Sequence, residues 1–357
     1  KDKDFFEFKT LADTTLAHSV SLEGGNDLLL TVYNSKKKKL HSGAGSVSLA
    51  DLKADTSYFI KVAGEESKAE LRNYSLNFQL PSQTATDQDG DIENEKPVSD
   101  WTMMVYITAD DLDYFAYSDI NEMEDAISNY KSGANIAVYW DQSASGQSDP
   151  YPTGNGSQPA WTTAGKAFIT ADSDLYEVGT EFLIEPNEVN TGDPNSLYEF
   201  ITWAADEAPA ENYGLVMWNH GGGVEGFNYD YSDNGSGDHL VTTEFVEVLD
   251  KTQNEGINFD LIAFDACLMA MVEVGYEIRN YTDYFVAAEE IVGGEGYDYT
   301  TAFSAFESEH RNVSPDELAQ SLVQSFEEFY VYDGNDADTL SAVNTSQLEK
   351  VAESLKA

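Results

Sequence analysis

The chain has 357 residues, a single cysteine and a formal net charge of −46. This length supports a large hydrophobic core and two domains, and one cysteine excludes both an intramolecular disulfide framework and a cysteine-rich metal site. No apolar run is long enough to span a membrane, and the first residues, KDKDFFEF, lack the apolar stretch of a signal peptide. We therefore expect a soluble protein without membrane insertion, whose export signal lies outside this chain.

The charge is unevenly distributed along the sequence. Residues 1–80 carry 11 of the 19 basic and 11 of the 65 acidic side chains, so the whole acidic excess follows residue 80. A surface of this kind repels nucleic acid and anionic membranes. We therefore expect no nucleic-acid partner, basic or neutral peptide partners, and a monomer.

Short segments of alternating polarity, separated by turn residues, make up the first 80 residues. This spacing predicts a small antiparallel β-sandwich. The segments are DFFEF, HSVSLE, DLLLTVYN, GSVSLADL, SYFIKVAG and NYSLNFQL.

Residues 81–100 (PSQTATDQDGDIENEKPVSD) are polar and contain two prolines, which predicts an acidic interdomain linker. Four carboxylates alternate within it, as in a calcium-binding loop: Asp87, Asp89, Asp91 and Glu93. An EF-hand starting at Asp87 would need Gly and Glu where the chain has Ile92 and Val98, so that motif is excluded. A weaker calcium site and a solvated linker both remain open.

From residue 101 onward, strand-like and helix-like segments alternate. This order predicts an α/β domain over 101–357, with a mostly parallel six-stranded sheet covered by helices. The predicted strands are 101–108, 134–141, 213–219, 259–265, 283–290 and 340–344, and the predicted helices are 118–129, 194–208, 242–254, 267–279 and 314–331.

Two reactive side chains follow two of these strands directly. His220 comes after strand 213–219, and Cys267 comes after strand 259–265. Active sites of open α/β sheets form beyond the carboxyl ends of the strands, where a thiol and its base would meet. Each residue alone favours a structural interpretation, a packed thiol or a core histidine, but their joint placement favours a catalytic pair with Cys267 as nucleophile and His220 as general base.

The residues around this pair predict how negative charge would be stabilised. Three glycines follow His220, so the backbone can turn tightly and offer the Gly221 N–H to a developing oxyanion, with the Cys267 N–H as second donor. Cys267 also begins the predicted helix 267–279, whose dipole would favour a thiolate. Motifs for zinc, for a nucleotide loop and for a serine nucleophile (HExxH, CxxC, Gly-Lys-Ser/Thr, GxSxG) are missing from the sequence.

Four segments together resemble the clostripain-type cysteine peptidases, which have a caspase-like fold. They are WTMMVYITADDLDYFAYSDINEME (101–124), EVNTGDPNSLYEFITWA (188–204), YGLVMWNHGGG (213–223) and FDACLMAMVEVGYE (264–277). The resemblance implies a Cys267–His220 dyad that needs no cofactor and cleaves after Arg or Lys. It also implies calcium as a common structural or activating requirement.

The same resemblance implies an acidic S1 pocket formed by Asp265 and Glu295. Asp265 stands two residues before Cys267, where a helix N-cap is an alternative role. Glu295 lies in a loop that departs from the family pattern, which leaves the balance between Arg and Lys open.

The same resemblance has implications for self-cleavage of the chain and for its location. Family members often cut themselves between the catalytic His and Cys, but the only basic residue there, Lys251, falls in a predicted helix, so we predict no cleavage at that place. The segments NDLLLTVYN and TSYFIKVAG resemble β-sandwich modules of the pre-peptidase type, which supports a secreted or cell-surface enzyme. The family usually continues beyond the last predicted strand and helix, so the chain is expected to be either truncated there or one product of processing. A catalytically silent calcium-dependent binding protein, or a surface-attachment protein, is the alternative on this fold.

Overall fold

The chain folds into two compact units, Lys1–Glu95 and Lys96–Ala357, in a computed structural model. The structure describes residues 3–10, 19–23, 29–34, 36–44, 46–50, 52–53, 56–63, 75–79, 96–131, 133–142, 161–172, 174, 177–231, 237–308, 313–333 and 338–356. The four acidic residues proposed for calcium, Asp87, Asp89, Asp91 and Glu93, lie outside this set. The division into a module at 1–80 and a linker at 81–100 remains a prediction.

The N-terminal unit consists of two small antiparallel sheets. Their strands are ordered β1-β6-β3-β4 and β5-β2-β7, and buried Val20, Leu30 and Ile60 come from both sheets into one core. The predicted small β-sandwich is therefore confirmed. Its strands are β1 (Lys3–Thr10), β2 (Ser19–Glu23), β3 (Leu29–Asn34), β4 (Lys39–Ala44), β5 (Ser46–Ser48), β6 (Thr56–Ala63) and β7 (Ser75–Gln79).

The second unit is built on an eight-stranded sheet with the order β11-β10-β9-β8-β12-β15-β16-β17. The five central strands, β9 to β16 in this order, are parallel, and the outer three pair antiparallel. Its strands are β8 (Ser99–Thr108), β9 (Ala134–Asp141), β10 (Ala164–Phe168), β11 (Leu183–Ile184), β12 (Ala210–Trp218), β15 (Phe259–Asp265), β16 (Tyr284–Ala287) and β17 (Ser341–Asn344). A separate hairpin joins β13 (Phe227–Asp230) to β14 (Asp238–Leu240).

Helices cover both faces of this sheet because the central strands are apolar on both sides. In β15, Leu261 and Ala263 join the core that contains α1 and α5 residues, while Ile262 and Phe264 join the core that contains α2, α3 and α4 residues. The helices are α1 (Asp113–Ile127), α2 (Pro194–Glu207), α3 (Thr242–Asn254), α4 (Val272–Ile278), α5 (Pro315–Asp333) and α6 (Leu348–Leu355). In the described part of the chain, every helix is too short or too polar to cross a membrane.

The predicted mostly parallel α/β architecture is confirmed, with two corrections. The sheet has eight strands rather than six, because β10 and β11 extend it antiparallel beyond β9. The predicted helix 267–279 is also wrong at its start, since α4 begins only at Val272. Before it, Leu268 and Ala270 donate backbone hydrogen bonds to Glu290 and Ala288, and these long-range bonds replace the first helical turn.

Candidate active site

The loops that carry His220 and Cys267 leave the same edge of the sheet. β12 and β15 are parallel neighbours, and Trp218 pairs with Asp265 at their carboxyl ends. Each reactive residue follows its strand by two positions. Parallel strands end at a common edge, so the two loops start side by side.

Gly221 packs directly on the Cys267 loop. A Cβ at Gly221 would overlap the Cys267 carbonyl oxygen, and would lie 3.0 Å from Met269 Cγ and 3.1 Å from Ala266 Cβ. The two backbones can approach this closely only because position 221 has no side chain. The glycine after His220 therefore fixes the spacing between the two loops that carry His220 and Cys267.

Two buried asparagines hold the loop after β12. Asn219 Nδ2 donates to Thr108 O at 2.7 Å, and its Oδ1 accepts from the Tyr229 N–H at 2.7 Å. Asn228 has a left-handed φ of 51° and donates through Nδ2 to Thr108 Oγ1 at 3.0 Å. Its own N–H donates to His220 O at 3.2 Å, so the backbone of the histidine is held from both β8 and the β13–β14 hairpin.

Cys267 is a free, half-buried thiol. Its Sγ accepts a hydrogen bond from the Val292 N–H at 3.4 Å and also contacts Val292 O at 3.9 Å. The next residue, Leu268, has a left-handed φ of 63° and turns the chain back along the segment 288–292. The expectation that a helix dipole acts on Cys267 is therefore wrong, since α4 begins five residues later.

The His220 ring is paired with a carboxylate that follows β8. Nε2 of His220 lies 3.0 Å from Oδ2 of Asp111, and a carboxylate can only accept in such a bond. This hydrogen bond, opposed by partial burial and aided by the negative charge, raises the pKa of His220 above its usual value. His220 is thus biased toward the imidazolium form.

Both backbone donors proposed for an oxyanion are unused within the described residues. The bridge between Gly221 and Phe227 is flanked by hydrogen bonds from Asn228 N–H to His220 O and from Gly222 N–H to Gly226 O. This pattern turns the Gly221 N–H away from the hairpin. The Cys267 N–H likewise has no acceptor in the described part of the chain.

Asp265 lies beneath the loop that follows β16. The residue is 5% exposed, and its Oδ2 accepts from the Tyr297 N–H and the Tyr299 hydroxyl, each at 3.1 Å. A side chain at Gly296, which has a φ of 57°, would lie 2.6 Å from Oδ1. The N-cap alternative for Asp265 is wrong, because no helix begins near it.

Helix α1 brings two further carboxylates to the same region. Asp119 is 2% exposed and accepts from Trp218 Nε1 at 2.7 Å. Glu122 is partly buried and accepts from the Tyr299 N–H at 2.9 Å. These residues are one helical turn apart, so they face the sheet together.

Crowding and burial disfavour ionisation of these carboxylates. Burial raises the pKa of Asp265 to about 7, against the two hydrogen bonds that lower it. Burial, followed by the charge of Asp298, raises the pKa of Glu122 to about 8. Burial and the charge of Glu122 also raise the pKa of Asp119. Within the described residues, none of the three is paired with Lys, Arg or His.

Glu295 is exposed on the loop above this cluster. Its charge contributes to the raised pKa values of Asp119 and Glu122, which places it within electrostatic range of both. Asp265 and Glu295 therefore occupy different environments, one enclosed and one facing solvent. A water-exposed carboxylate interacts more weakly with a cation than a buried one.

Sequence reasoning missed four residues of this region. Asp111, Asp119 and Glu122 belong to the segment 101–124 that was singled out as a motif without roles for its acids. The position of Asp111, three residues after β8 at the carboxyl edge, was a usable signal. The hydrogen bond from the Val292 N–H to Cys267 could not be predicted from the sequence, because it depends on the conformation of the loop after β16.

Metal binding finds no support within the described ranges. These ranges contain no group of three or more His, Cys, Asp or Glu side chains arranged to hold a metal ion.

The chain is similar to several known proteins. Clostripain of Hathewaya histolytica is 33% identical over 148 residues, which are 37% of this chain and 27% of that protein. A secreted C11 cysteine protease of Bacteroides thetaiotaomicron, in complex with an irreversible peptide inhibitor, is 25% identical with a TM-score of 0.55, over 71% of this chain and 69% of that one. An inactive zymogen C11 protease of Parabacteroides distasonis, 21% identical with a TM-score of 0.53 over 72% and 66% of the two chains, shares the fold.

The matched segment thus spans only about a quarter of clostripain itself. The sequence profile of the clostripain family, however, matches residues 105–357, which cover the whole sheet beyond the first part of β8. These residues include Cys267, His220 and the acidic cluster. The chain therefore belongs to the clostripain family.

Proposed function

We propose that this chain is a secreted cysteine endopeptidase that hydrolyses peptide bonds after Arg or Lys. The observation that supports this most is the cluster of Asp265, Asp119 and Glu122 beside the Cys267 loop. Three crowded carboxylates without a cationic partner among the described residues favour a ligand that brings its own positive charge.

The chemistry follows from the two catalytic loops. The Cys267 thiolate attacks the carbonyl carbon of the scissile bond, and the Gly221 and Cys267 N–H groups stabilise the oxyanion. His220 gives a proton to the leaving amine as the C–N bond breaks, which leaves a thioester on Cys267. Water then attacks the thioester, His220 accepts its proton, and the thiolate leaves.

Specificity rests on two acids at different depths. Both hydrogen bonds to Asp265 fall on Oδ2, and Oδ1 receives none from the described residues, so this oxygen is free for a guanidinium or ammonium group. Glu295, exposed on the loop above, would meet the same group from the solvent side. These two carboxylates can pair with the guanidinium of Arg or with the ammonium of Lys, so we expect cleavage after both residues.

Location and cofactor needs rest on the relatives. The protease of Bacteroides thetaiotaomicron with the similar fold is described as secreted, which supports export of this chain as well. The acyl-transfer steps use only side chains and water, so a cofactor is unnecessary for the chemistry. Calcium in the segment 87–93, and a monomeric state, stay predictions.

A peptide assay tests the proposal. Wild type, Cys267→Ala and His220→Ala are incubated with fluorogenic peptides carrying Arg, Lys or Leu before the reporter, in Ca²⁺ or in EDTA. We expect cleavage of the Arg and Lys peptides only, with a loss of at least about 10³-fold in either variant. Activity that persists in Cys267→Ala would refute the proposal.

The single cysteine gives this test an internal control. A peptide with Lys before a thiol-reactive group should add once to the wild type, and the added mass should fall on Cys267, the only thiol. Lack of turnover together with calcium-dependent peptide binding would instead favour the silent binding protein.

A further inference from the structure

We propose that Asp111 is a positioning residue for cleavage, which fixes the ring and the tautomer of His220. This inference rests on the proposed peptidase function. The contact that supports it joins His220 Nε2 to Asp111 Oδ2 at 3.0 Å. Because a carboxylate only accepts, Nε2 must carry the hydrogen.

The Asp111 carboxylate is committed to this contact. Its other oxygen, Oδ1, is enclosed and has no hydrogen-bond partner among the described residues. It does not cap α1, whose N-cap position is Leu112 and receives no side-chain cap. The preceding Asp110 has a different task, since its Oδ2 accepts from the Tyr231 N–H at 2.6 Å. Among the described residues, Asp111 therefore has no second hydrogen-bond partner that would indicate a purely structural role.

This pairing decides which nitrogen reacts. With the hydrogen held on Nε2, neutral His220 has its lone pair on Nδ1, so Nδ1 is the atom that takes and returns protons. In the imidazolium form, the Nδ1 proton passes to the leaving amine as its bond to the acyl carbon breaks. The Asp111 carboxylate stabilises this imidazolium through the hydrogen bond to Nε2.

Asp111 is the acidic side chain that acts most strongly on the His220 ring. Asp111 is the charged group in direct contact with His220, and it is the only charge that contributes to the raised pKa of the ring. Other titratable groups on the neighbouring elements are Asp110, Glu225, Tyr231, His239 and Cys267. Of these, His239 stacks its ring on Tyr229, and its Nε2 lies 3.2 Å from the Glu225 carbonyl oxygen.

Because His220 and Asp111 are both partly exposed to solvent, we expect a moderate loss of kcat when Asp111 is replaced. The side chains of His220 and Asp111 are 43% and 41% exposed, so solvent weakens their attraction. A buried triad aspartate supplies about 10⁴-fold in kcat. We expect Asp111→Asn to lower kcat by roughly tenfold to hundredfold, with little change in KM, because Asp111 acts through His220 and not on the substrate.

The kinetic experiment compares three variants of the full chain across pH. In Asp111→Asn, the loss of the negative charge lowers the pKa of His220, so the basic limb of the kcat/KM profile moves to lower pH. Asp111→Glu keeps the charge and should restore most of that limb. Glu225→Gln removes one charge from the loop after β12 without touching the ring, and should leave the profile in place.

A second readout does not depend on activity. The pKa of His220 is measured by NMR in ¹³C-histidine-labelled protein, with His220→Ala used to assign the resonance among five histidines. It should fall in Asp111→Asn and not in Glu225→Gln. An active wild type whose Asp111→Asn variant keeps its kcat, its pH profile or its His220 pKa would overturn the inference while the peptidase function stands. A wild type inactive on Arg and Lys peptides would overturn both.

Discussion

The Tyr299 hydroxyl donates a hydrogen bond to Oδ2 of Asp265 at 3.1 Å. The same oxygen also accepts from the Tyr297 N–H, so two groups from one loop hold the carboxylate two residues before Cys267. Asp265 is therefore held in place and almost completely shielded from solvent before a substrate binds. Rigid, desolvated charges are those whose removal changes binding most.

Asp265→Asn should lower kcat/KM for Arg and Lys peptides by roughly 100-fold or more, because a buried ion pair to the substrate is lost. The amide keeps the shape and can still accept from both tyrosines. Steady-state kinetics with matched Arg, Lys and Leu peptides measure the effect. An equal fractional loss on all three peptides would contradict a role in recognising the basic side chain.

Glu295→Gln is the exposed counterpart of that variant. We expect a loss of about tenfold or less, and a loss that shrinks as salt is added, because solvent and ions screen this carboxylate. The ratio of the Arg and Lys rates should change more than the rates themselves. Equal losses in Asp265→Asn and Glu295→Gln would contradict the different depths of the two acids.

Asp265→Asn should also raise thermal stability at pH 8. The folded-state pKa of about 7 lies above the usual 3.8, so the folded protein binds the extra proton between these values. The cost of burying this carboxylate is therefore absent below about pH 4 and complete above about pH 7. We expect the variant to gain roughly 3 °C or more in Tm at pH 8 and to lose that gain near pH 4. An unchanged Tm difference at both pH values would contradict this.

Binding of a basic side chain should strengthen as the pH rises from 6 to 8. Over this range Asp265, with a pKa of about 7, changes from mostly neutral to mostly charged, and Glu122, with a pKa of about 8, becomes about half charged. Product peptides that end in Arg should inhibit roughly tenfold better at pH 8 than at pH 6. Peptides ending in citrulline, its neutral isostere, provide the control, and a similar trend for them would rule out the acidic cluster as the cause.

Gly221→Ala should abolish most activity. The new methyl group overlaps the Cys267 carbonyl oxygen, so the two loops must separate, and the loss of one oxyanion donor costs about 10²–10³-fold in kcat. Gly133→Ala is the matched control, since its methyl group would have only ordinary contacts with Asp100. Near-normal kcat in Gly221→Ala would contradict the close packing of the loops.

The purified active enzyme should remain uncut between His220 and Cys267. Lys251 lies within α3, and its Nζ lies 3.2 Å from the centroid of the Tyr198 ring. A lysine within a helix cannot adopt the extended backbone that a protease needs without local unfolding. Intact mass spectrometry after prolonged incubation measures this, with Cys267→Ala as control. Fragments that end at Lys251 would show the prediction to be wrong.

The amino-acid sequence alone determined the central strands and the ends from which His220 and Cys267 emerge. Apolar runs bounded by polar residues are local patterns, so β8, β12 and β15 could be predicted without knowledge of their partners. The strands β10 and β11 could not, since they are short and their pairing depends on β9. The alternation of strands and helices after residue 101 could also be predicted from the sequence.

Only the tertiary structure decided what surrounds the two reactive residues. Cys267 lies in a turn held by the segment 288–292 rather than at a helix start, because the N–H groups of Leu268 and Ala270 bond to Glu290 and Ala288, which follow the end of β16. Asp111 and the acids of α1 reach the site through the folding of the sheet edge, which no local pattern encodes. Loop conformations depend on distant hydrogen bonds, whereas strands and helices depend largely on nearby residues.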